Sequence, residues 1–390
     1  MEISRGSQPR YHEVLAHLGE AGSRRLVATP ALVCDLDLLL NNVRRMAKFV
    51  AASGVALRPH VKSHKSAFVA RLQLDAGAAG LAFAKLSEAE VIVDRLMEDG
   101  DNVPLSILVT SPLVGDDLAR RALTLAQRCE LIVVVDHSDG VDDLGRHARE
   151  HEGGLRVLCD VDVGLGRTGV VNANEALRVI ERINEYSELG FSGVQGYGGH
   201  LQHVAGRDAR LAVTADSTRR LQEVIDTLEA AGHRVELRTG GGTGTASIDI
   251  ELGCLNELQC GSYVFMDREY RDALGSDPEG QFAQSLTITT TVISTNQKGF
   301  VTVDAGLKSM ATDAGVPVVA GDAETSRYQF FGDEQGLLTD RPRPRLKRGD
   351  RVELVPPHCD PTVDRYDLIW LVRNDVVVNV AAVDARGCSQ

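Results

Sequence analysis

Beyond residue 28 the hydrophobic positions of the chain follow two alternating rhythms. Thr29-Pro30-Ala31-Leu32-Val33-Cys34-Asp35-Leu36-Asp37 is a short extended apolar segment closed by acids, and after it Leu38, Leu39, Val43, Met46 and Val50 recur at helical spacing. From there strand-like and helix-like patterns alternate about every 25 to 30 residues, the rhythm of βαβ units and a parallel sheet. The strand candidates are 55–62, 80–85, 105–110, 131–136, 155–164, 193–199, 235–239 and 258–265, with amphipathic helices such as 88–97, 118–127, 176–183 and 211–230 between them. Eight repeats over about 210 residues predict an α/β fold of the (β/α)8 TIM-like barrel type, although an open doubly wound sheet would give the same local pattern. After about residue 275 the rhythm changes. The β-branched runs 285–293 and 300–304, with 351–355, 368–372, 376–382 and a Pro/Arg linker at 341–345, predict an all-β second domain. The expected division is an N-terminal arm over 1–27 with a short helix at 11–18, a barrel over 28–275, and a C-terminal β-domain over 276–390. Residues 28–37 are free to pair with that β-domain.

Composition narrows the function. A net charge of −13 and a pI near 5.4 exclude the basic face that nucleic acid or an anionic membrane requires. The N-terminus has no apolar h-region, and no apolar run reaches the roughly 20 residues that span a bilayer, so no membrane partner and a cytoplasmic location are expected. The seven cysteines contain no Cys-x-x-Cys pair, which argues against a disulfide framework or a four-cysteine zinc site.

The candidate chemistry gathers at Leu57-Arg58-Pro59-His60-Val61-Lys62-Ser63-His64-Lys65, where two lysines and two histidines lie at the end of a barrel strand in a chain with only seven lysines. Strand ends form the barrel mouth, where side chains converge. Four lysines compete for the role of nucleophilic amine. Lys65 starts the following helix, Lys85 ends the second strand and Lys308 belongs to the β-domain, which leaves Lys62 as the expected one. Thr239-Gly240-Gly241-Gly242-Thr243-Gly244-Thr245 follows the seventh strand and Gly261-Ser262-Tyr263 ends the eighth. Successive glycines and hydroxyls at that place suit a phosphate, and without a following lysine they do not form a P-loop. A barrel lysine opposite a phosphate cradle suits pyridoxal 5'-phosphate. Gly164-Leu165-Gly166-Arg167-Thr168-Gly169 matches a dinucleotide fingerprint, but the next strand ends in no acid, so a tight turn exposing Arg167 at the mouth is expected instead. In His358-Cys359-Asp360 an extended backbone would turn His358 and Asp360 to one side, an imidazole and carboxylate suited to a divalent ion.

Together, Thr29-Pro30-Ala31-Leu32, Arg58-Pro59-His60-Val61-Lys62-Ser63-His64-Lys65, Ala84-Lys85-Leu86-Ser87-Glu88-Ala89-Glu90, Asp162-Val163-Gly164-Leu165-Gly166-Arg167-Thr168-Gly169, Gly240-Gly241-Gly242-Thr243-Gly244 and Pro357-His358-Cys359-Asp360-Pro361-Thr362 resemble the D-threonine aldolase family. Its relatives include D-serine dehydratase and 3-hydroxy-D-aspartate aldolase, with the alanine racemase-like fold. The resemblance runs from about residue 28 to 386. It implies a pyridoxal phosphate-dependent lyase acting on a small-molecule D-amino acid, as a homodimer, with a divalent ion beside the cofactor. It places the cofactor on Lys62, Arg167 near the ring oxygen, Tyr197 by the ring, and His203 by the substrate hydroxyl. The phosphate would rest on Gly241, Gly242, Thr243, Gly261, Ser262 and Tyr263, and the metal on His358 and Asp360. Mn2+ is the ion expected, with Mg2+ or Zn2+ as alternatives. D-serine dehydratases tend to carry a thiolate at the position of Asp360, so the oxygen ligand favours retro-aldol cleavage to glycine and an aldehyde over dehydration of D-serine or 3-hydroxyaspartate. A 3-hydroxy-D-aspartate aldolase and a non-catalytic pyridoxal phosphate-binding protein are the other readings. One departure is Asp333-Glu334-Gln335-Gly336, where relatives often have histidine in place of Gln335.

Overall fold

The computed structural model describes residues 11–98, 105–150, 154–275, 277, 282–321, 326–340 and 346–390. The chain begins outside the barrel. Strand β1 (Ala31–Asp35) lies in a sheet built from the C-terminal part, antiparallel to β10 (Leu286–Ser294) and parallel to β16 (Leu368–Arg373). Asp35 then caps the helix Leu36–Ser53 by accepting from the Leu38 amide at 3.0 Å, and Gly54, at φ 68°, ends it.

Eight parallel strands follow: β2 (Ala56–Leu57), β3 (Leu81–Phe83), β4 (Ser106–Val109), β5 (Glu130–Val135), β6 (Leu155–Asp160), β7 (Leu189–Gly196), β8 (Leu237–Gly240) and β9 (Glu257–Leu258). Their order, β2-β9-β8-β7-β6-β5-β4-β3, is completed where His60 bridges Ala82 just past the end of β2. That bridge separates the barrel from the doubly wound alternative. Alternation sorts the strand residues by face. Ala82, Leu108, Ile132, Val134 and Leu158 form an interior cluster, while Leu81, Phe83, Ile107, Val109, Val133, Val135, Val157 and Cys159 pack outward on the helices. The strands are shorter than their apolar runs. Past β2 and β9 the chain curls into single 3-10 turns, Val61–Ser63 and Ser262–Val264, so Lys62 and Ser262 sit on turns above the strands rather than in them.

Among the described residues the second sheet has nine strands. The remaining ones are β11 (Val301–Val303), β12 (Val318–Val319), β13 (Ser326–Phe330), β14 (Gly336–Asp340), β15 (Arg351–Val355) and β17 (Val376–Ala382). The sequence pattern missed β12 to β14, whereas the barrel helix Ser138–Glu150, with Val141, Leu144, Gly145 and Ala148 buried, fits the expected alternation. The Pro/Arg linker at 341–345 lies outside the described residues. The 358–360 segment is a correction. Only His358 is extended, as the N-cap of the short helix Cys359–Val363, so the expected alternation of side chains does not apply there. No helix among the described residues is long and apolar enough to cross a membrane.

Candidate active site

Lys62 reaches into the seam between barrel and β-domain. Its Nζ lies 3.7 Å from Asp360 Oδ2 and 5.7 Å from the centroid of the Tyr197 ring, with 37% of the side chain exposed. Burial works against the ammonium, but Tyr197 and Asp360 more than offset it, and its pKa is raised. The opposite holds for its neighbour His60. Thr110 Oγ1 donates to the Phe83 carbonyl, so it accepts from His60 Nε2 at 3.2 Å, and His60 Nδ1 in turn accepts the Lys62 amide. Burial and the Lys62 charge push this imidazole well below its ordinary pKa, so it is neutral.

The four competing lysines separate on geometry. Lys65, held at φ 50°, turns away to pair with Asp364 at 2.8 Å and the buried Glu88 at 3.4 Å, a strut between the barrel and the helix that carries Asp360. Lys308 is 64% exposed and pairs with Glu334. Lys85 lines the same cleft as Lys62, a space of about 530 Å3 bordered also by His60, Arg167, Gln195 and Tyr197.

The cleft floor is a chain of amides and one carboxyl. Gln259 donates to Gln195 Oε1 at 3.2 Å, Gln195 donates to Asp160 Oδ1 at 2.8 Å, and Thr168 donates to Asp160 Oδ2 at 2.8 Å. Burial raises the Asp160 carboxyl to about 6. The glycine-rich turn above it spends its own donors internally. Gly164 and Gly166 donate to Asp162, and Gly169 donates to Asp136, which leaves no cradle for a pyrophosphate. Arg167 is exposed there, its guanidinium carbon 5.5 Å from the Tyr197 ring centroid.

The second glycine stretch behaves differently. Gly241, Gly242, Thr243, Gly261 and Ser262 are buried, yet their amides have no acceptor among the described residues. Buried unpaired N–H groups are costly, and five of them at the ends of β8 and β9 fit an anion such as a phosphate. Steric demand adds to this. A Cβ on Gly242 or Gly244 would overlap Gln202, and one on Gly261 would stand 2.7 Å from the His60 carbonyl oxygen. Tyr263 requires a correction. Its hydroxyl accepts from Gln73 at 3.0 Å and its ring packs on Phe282, so its side chain points away from the site and its amide is bonded to Thr243 Oγ1.

Behind this stretch lies Asp249, with Oδ2 2.6 Å from Thr245 Oγ1. Burial raises its carboxyl from an ordinary 3.8 to about 7. A raised folded-state pKa stabilises the protein below the unfolded value and loses that contribution as pH rises through the folded one. Asp249→Asn does not titrate, so its stability relative to the parent is expected to increase between about pH 4 and pH 7. Urea denaturation of both proteins at about pH 5 and pH 8 checks this, and an unchanged difference would show a freely ionising carboxyl.

On the β-domain side, Asp360 Oδ1 accepts from Ser262 Oγ at 3.3 Å. Burial raises its pKa, but Lys62 and His358 together hold it below the ordinary carboxylate range. His358 Nδ1 lies 2.6 Å from Asp313 Oδ2, a partner that nothing in the sequence had singled out. The His203 ring packs tilted against Tyr270, centroids 4.4 Å apart, and keeps Nδ1 3.6 Å from Glu269, while its buried Nε2 has no partner among the described residues. Burial lowers its pKa, Glu269 opposes this, and His358 lowers it further. Among the described residues no three His, Cys, Asp or Glu side chains are arranged to hold a metal. His358 and Asp360 offer two donor side chains, so water or substrate oxygens would have to complete the shell of any ion they held. Gln335 is exposed in the turn between β13 and β14.

Comparison with known proteins agrees with this fold. Residues 34–269 match the family model "Alanine racemase, N-terminal domain", and residues 285–372 match a serine dehydratase domain model. The chain is 36% identical to the 3-hydroxy-D-aspartate aldolase of Paracoccus denitrificans over 93% of this chain and 92% of that one. It is 33% identical to the D-threonine aldolase of an Arthrobacter species over 93% and 94%. The crystal structure of D-threonine aldolase from Filomicrobium marinum superposes with a TM-score of 0.89 at 33% identity, covering 94% of this chain and 98% of that one. The chain belongs to the D-threonine aldolase and D-serine dehydratase-like family of alanine racemase-like, pyridoxal phosphate-dependent enzymes.

Proposed function

We propose that this protein is a pyridoxal phosphate- and divalent metal-dependent lyase that cleaves D-β-hydroxy-α-amino acids to glycine and an aldehyde. The observation that carries this reading is the meeting of Lys62 with the Tyr197 ring on one side and Asp360 on the other, above five unpaired backbone amides. When bound, the cofactor supplies an electron sink for bond breaking at Cα, and a divalent ion supplies a Lewis acid for the substrate hydroxyl.

The chain's own residues divide the remaining work. Lys62 would attach the cofactor through Nζ, with Tyr197 and Arg167 as the side chains beside it that would hold it. Gly241, Gly242, Thr243, Gly261 and Ser262 hold the phosphate through their amides, with the Ser262 hydroxyl on the Asp360 side. His358 and Asp360 hold the ion. The Asp360 oxygen is a hard ligand, which favours Mn2+ over the softer preferences that a thiolate would create. His203, kept neutral by its lowered pKa, takes the hydroxyl proton at its free Nε2. Two relatives named as aldolases, one for D-threonine and one for 3-hydroxy-D-aspartate, support the same bond cleavage. A homodimer in the cytoplasm is the state proposed for it. The test is product analysis with the cofactor, Mn2+ and D-threonine, D-serine or 3-hydroxy-D-aspartate. Glycine is the expected amino-acid product, and keto acid without glycine would refute the aldolase reading.

A further inference from the structure

We infer that Asp313 is a positioning residue for metal binding, the outer carboxylate that fixes the ring and tautomer of His358. The inference rests on the proposed role of His358 and Asp360 as the metal pair. Asp313 Oδ2 stands 2.6 Å from His358 Nδ1, across 45 residues of sequence. A carboxylate only accepts, so the imidazole donates from Nδ1 and its remaining lone pair is on Nε2. Histidine ligands need that arrangement. A carboxylate on the far nitrogen sets the tautomer, stops ring rotation and makes the ligating nitrogen more basic.

The loop that brings Asp313 to this place is pinned on both sides. The Ala311 amide donates to Thr362 Oγ1 at 3.0 Å, and that hydroxyl donates to the His358 carbonyl at 2.6 Å, tying the loop to the helix that carries Asp360. On the other side Arg268, on the barrel helix Arg268–Leu274, donates to the Val316 carbonyl at 2.6 Å. Asp313 itself is 56% exposed, where an ion pair contributes little to stability because water screens it. Fold stability alone gives a poor reason for so short a contact. Ligand orientation gives a direct one.

The experiment uses full-length protein loaded with pyridoxal phosphate and titrates it with Mn2+ alone, without substrate, reading free Mn2+ by electron paramagnetic resonance. Asp313→Ala is expected to raise the Mn2+ dissociation constant about 10–100-fold. Asp313→Asn is expected to fall between it and the parent, because the amide oxygen still accepts from Nδ1 but carries no charge. The visible absorbance of the cofactor and the melting temperature are expected to stay at parent values in both variants, which a merely structural role for Asp313 would not predict. Parent-like Mn2+ affinity in Asp313→Ala overturns the inference while leaving His358 and Asp360 as the metal pair. A parent protein that releases glycine yet binds no Mn2+, Mg2+ or Zn2+ overturns the metal reading and the inference together.

Discussion

Alanine at position 62 is expected to remove the visible absorbance of bound pyridoxal phosphate and to lower turnover by about 10³-fold or more, because the proposed covalent attachment point is lost. The basis is positional. Lys62 Nζ faces Tyr197 and Asp360, whereas Lys65 is committed to Glu88 and Asp364, and Lys308 pairs with Glu334 in the β-domain. Lys85 lines the same cleft and is the informative control. Lys85→Ala is expected to retain the absorbance. Absorbance that survives Lys62→Ala and disappears in Lys85→Ala would move the attachment point to the other wall of the cleft. Spectra of the purified variants, with and without added cofactor, decide between the two.

The second large effect is expected at Asp360. Asp360→Ala removes one of the two proposed metal donors and also the carboxylate partner of Lys62. The loss of a Lewis acid worth several kcal/mol lowers the rate by roughly 10²–10⁴-fold. Stimulation by divalent ions should disappear along with it. Asp360→Asn separates the two contributions, since the amide keeps the side chain's shape beside Ser262 without its charge. Activity measured across a Mn2+ series, after chelation of the purified proteins, is the check. An Asp360→Ala variant still stimulated by Mn2+ at parent concentrations would show that the ion is bound elsewhere.

Much of the barrel was legible because its strands are apolar on both faces and its helices carry strong apolar stripes. The exceptions have physical causes. Strand β13 presents Ser-Arg-Tyr-Gln-Phe with only Tyr328 fully buried, a pattern too polar and too short to stand out. The 358–360 segment misled for a different reason. A residue before proline disfavours the helical region, which makes Asp360-Pro361 read as extended. In the fold Pro361 occupies the first turn of a helix, where its missing N–H costs nothing, and Asp360 lies at the helix start that favours an acid.

Within the site, residue type and spacing pointed to Lys62, to the glycine stretch, and to His358 with Asp360. They could not show that Tyr263 faces the core, or that Lys65 is a strut, because both facts depend on partners far away in sequence. Asp313 is the clearest case, an acid in an irregular loop that gains meaning only when the fold sets it against His358.

That the Lys62 cleft and the His358–Asp360 pair act together to break a carbon–carbon bond is the function we propose. It is tested most directly by incubating the protein with pyridoxal phosphate, Mn2+ and D-threonine, and quantifying glycine, acetaldehyde and keto acid in the same sample. Glycine and acetaldehyde in equal amounts, dependent on both Lys62 and Asp360, is the predicted result. Keto acid without glycine, or glycine release that survives Lys62→Ala, would contradict it.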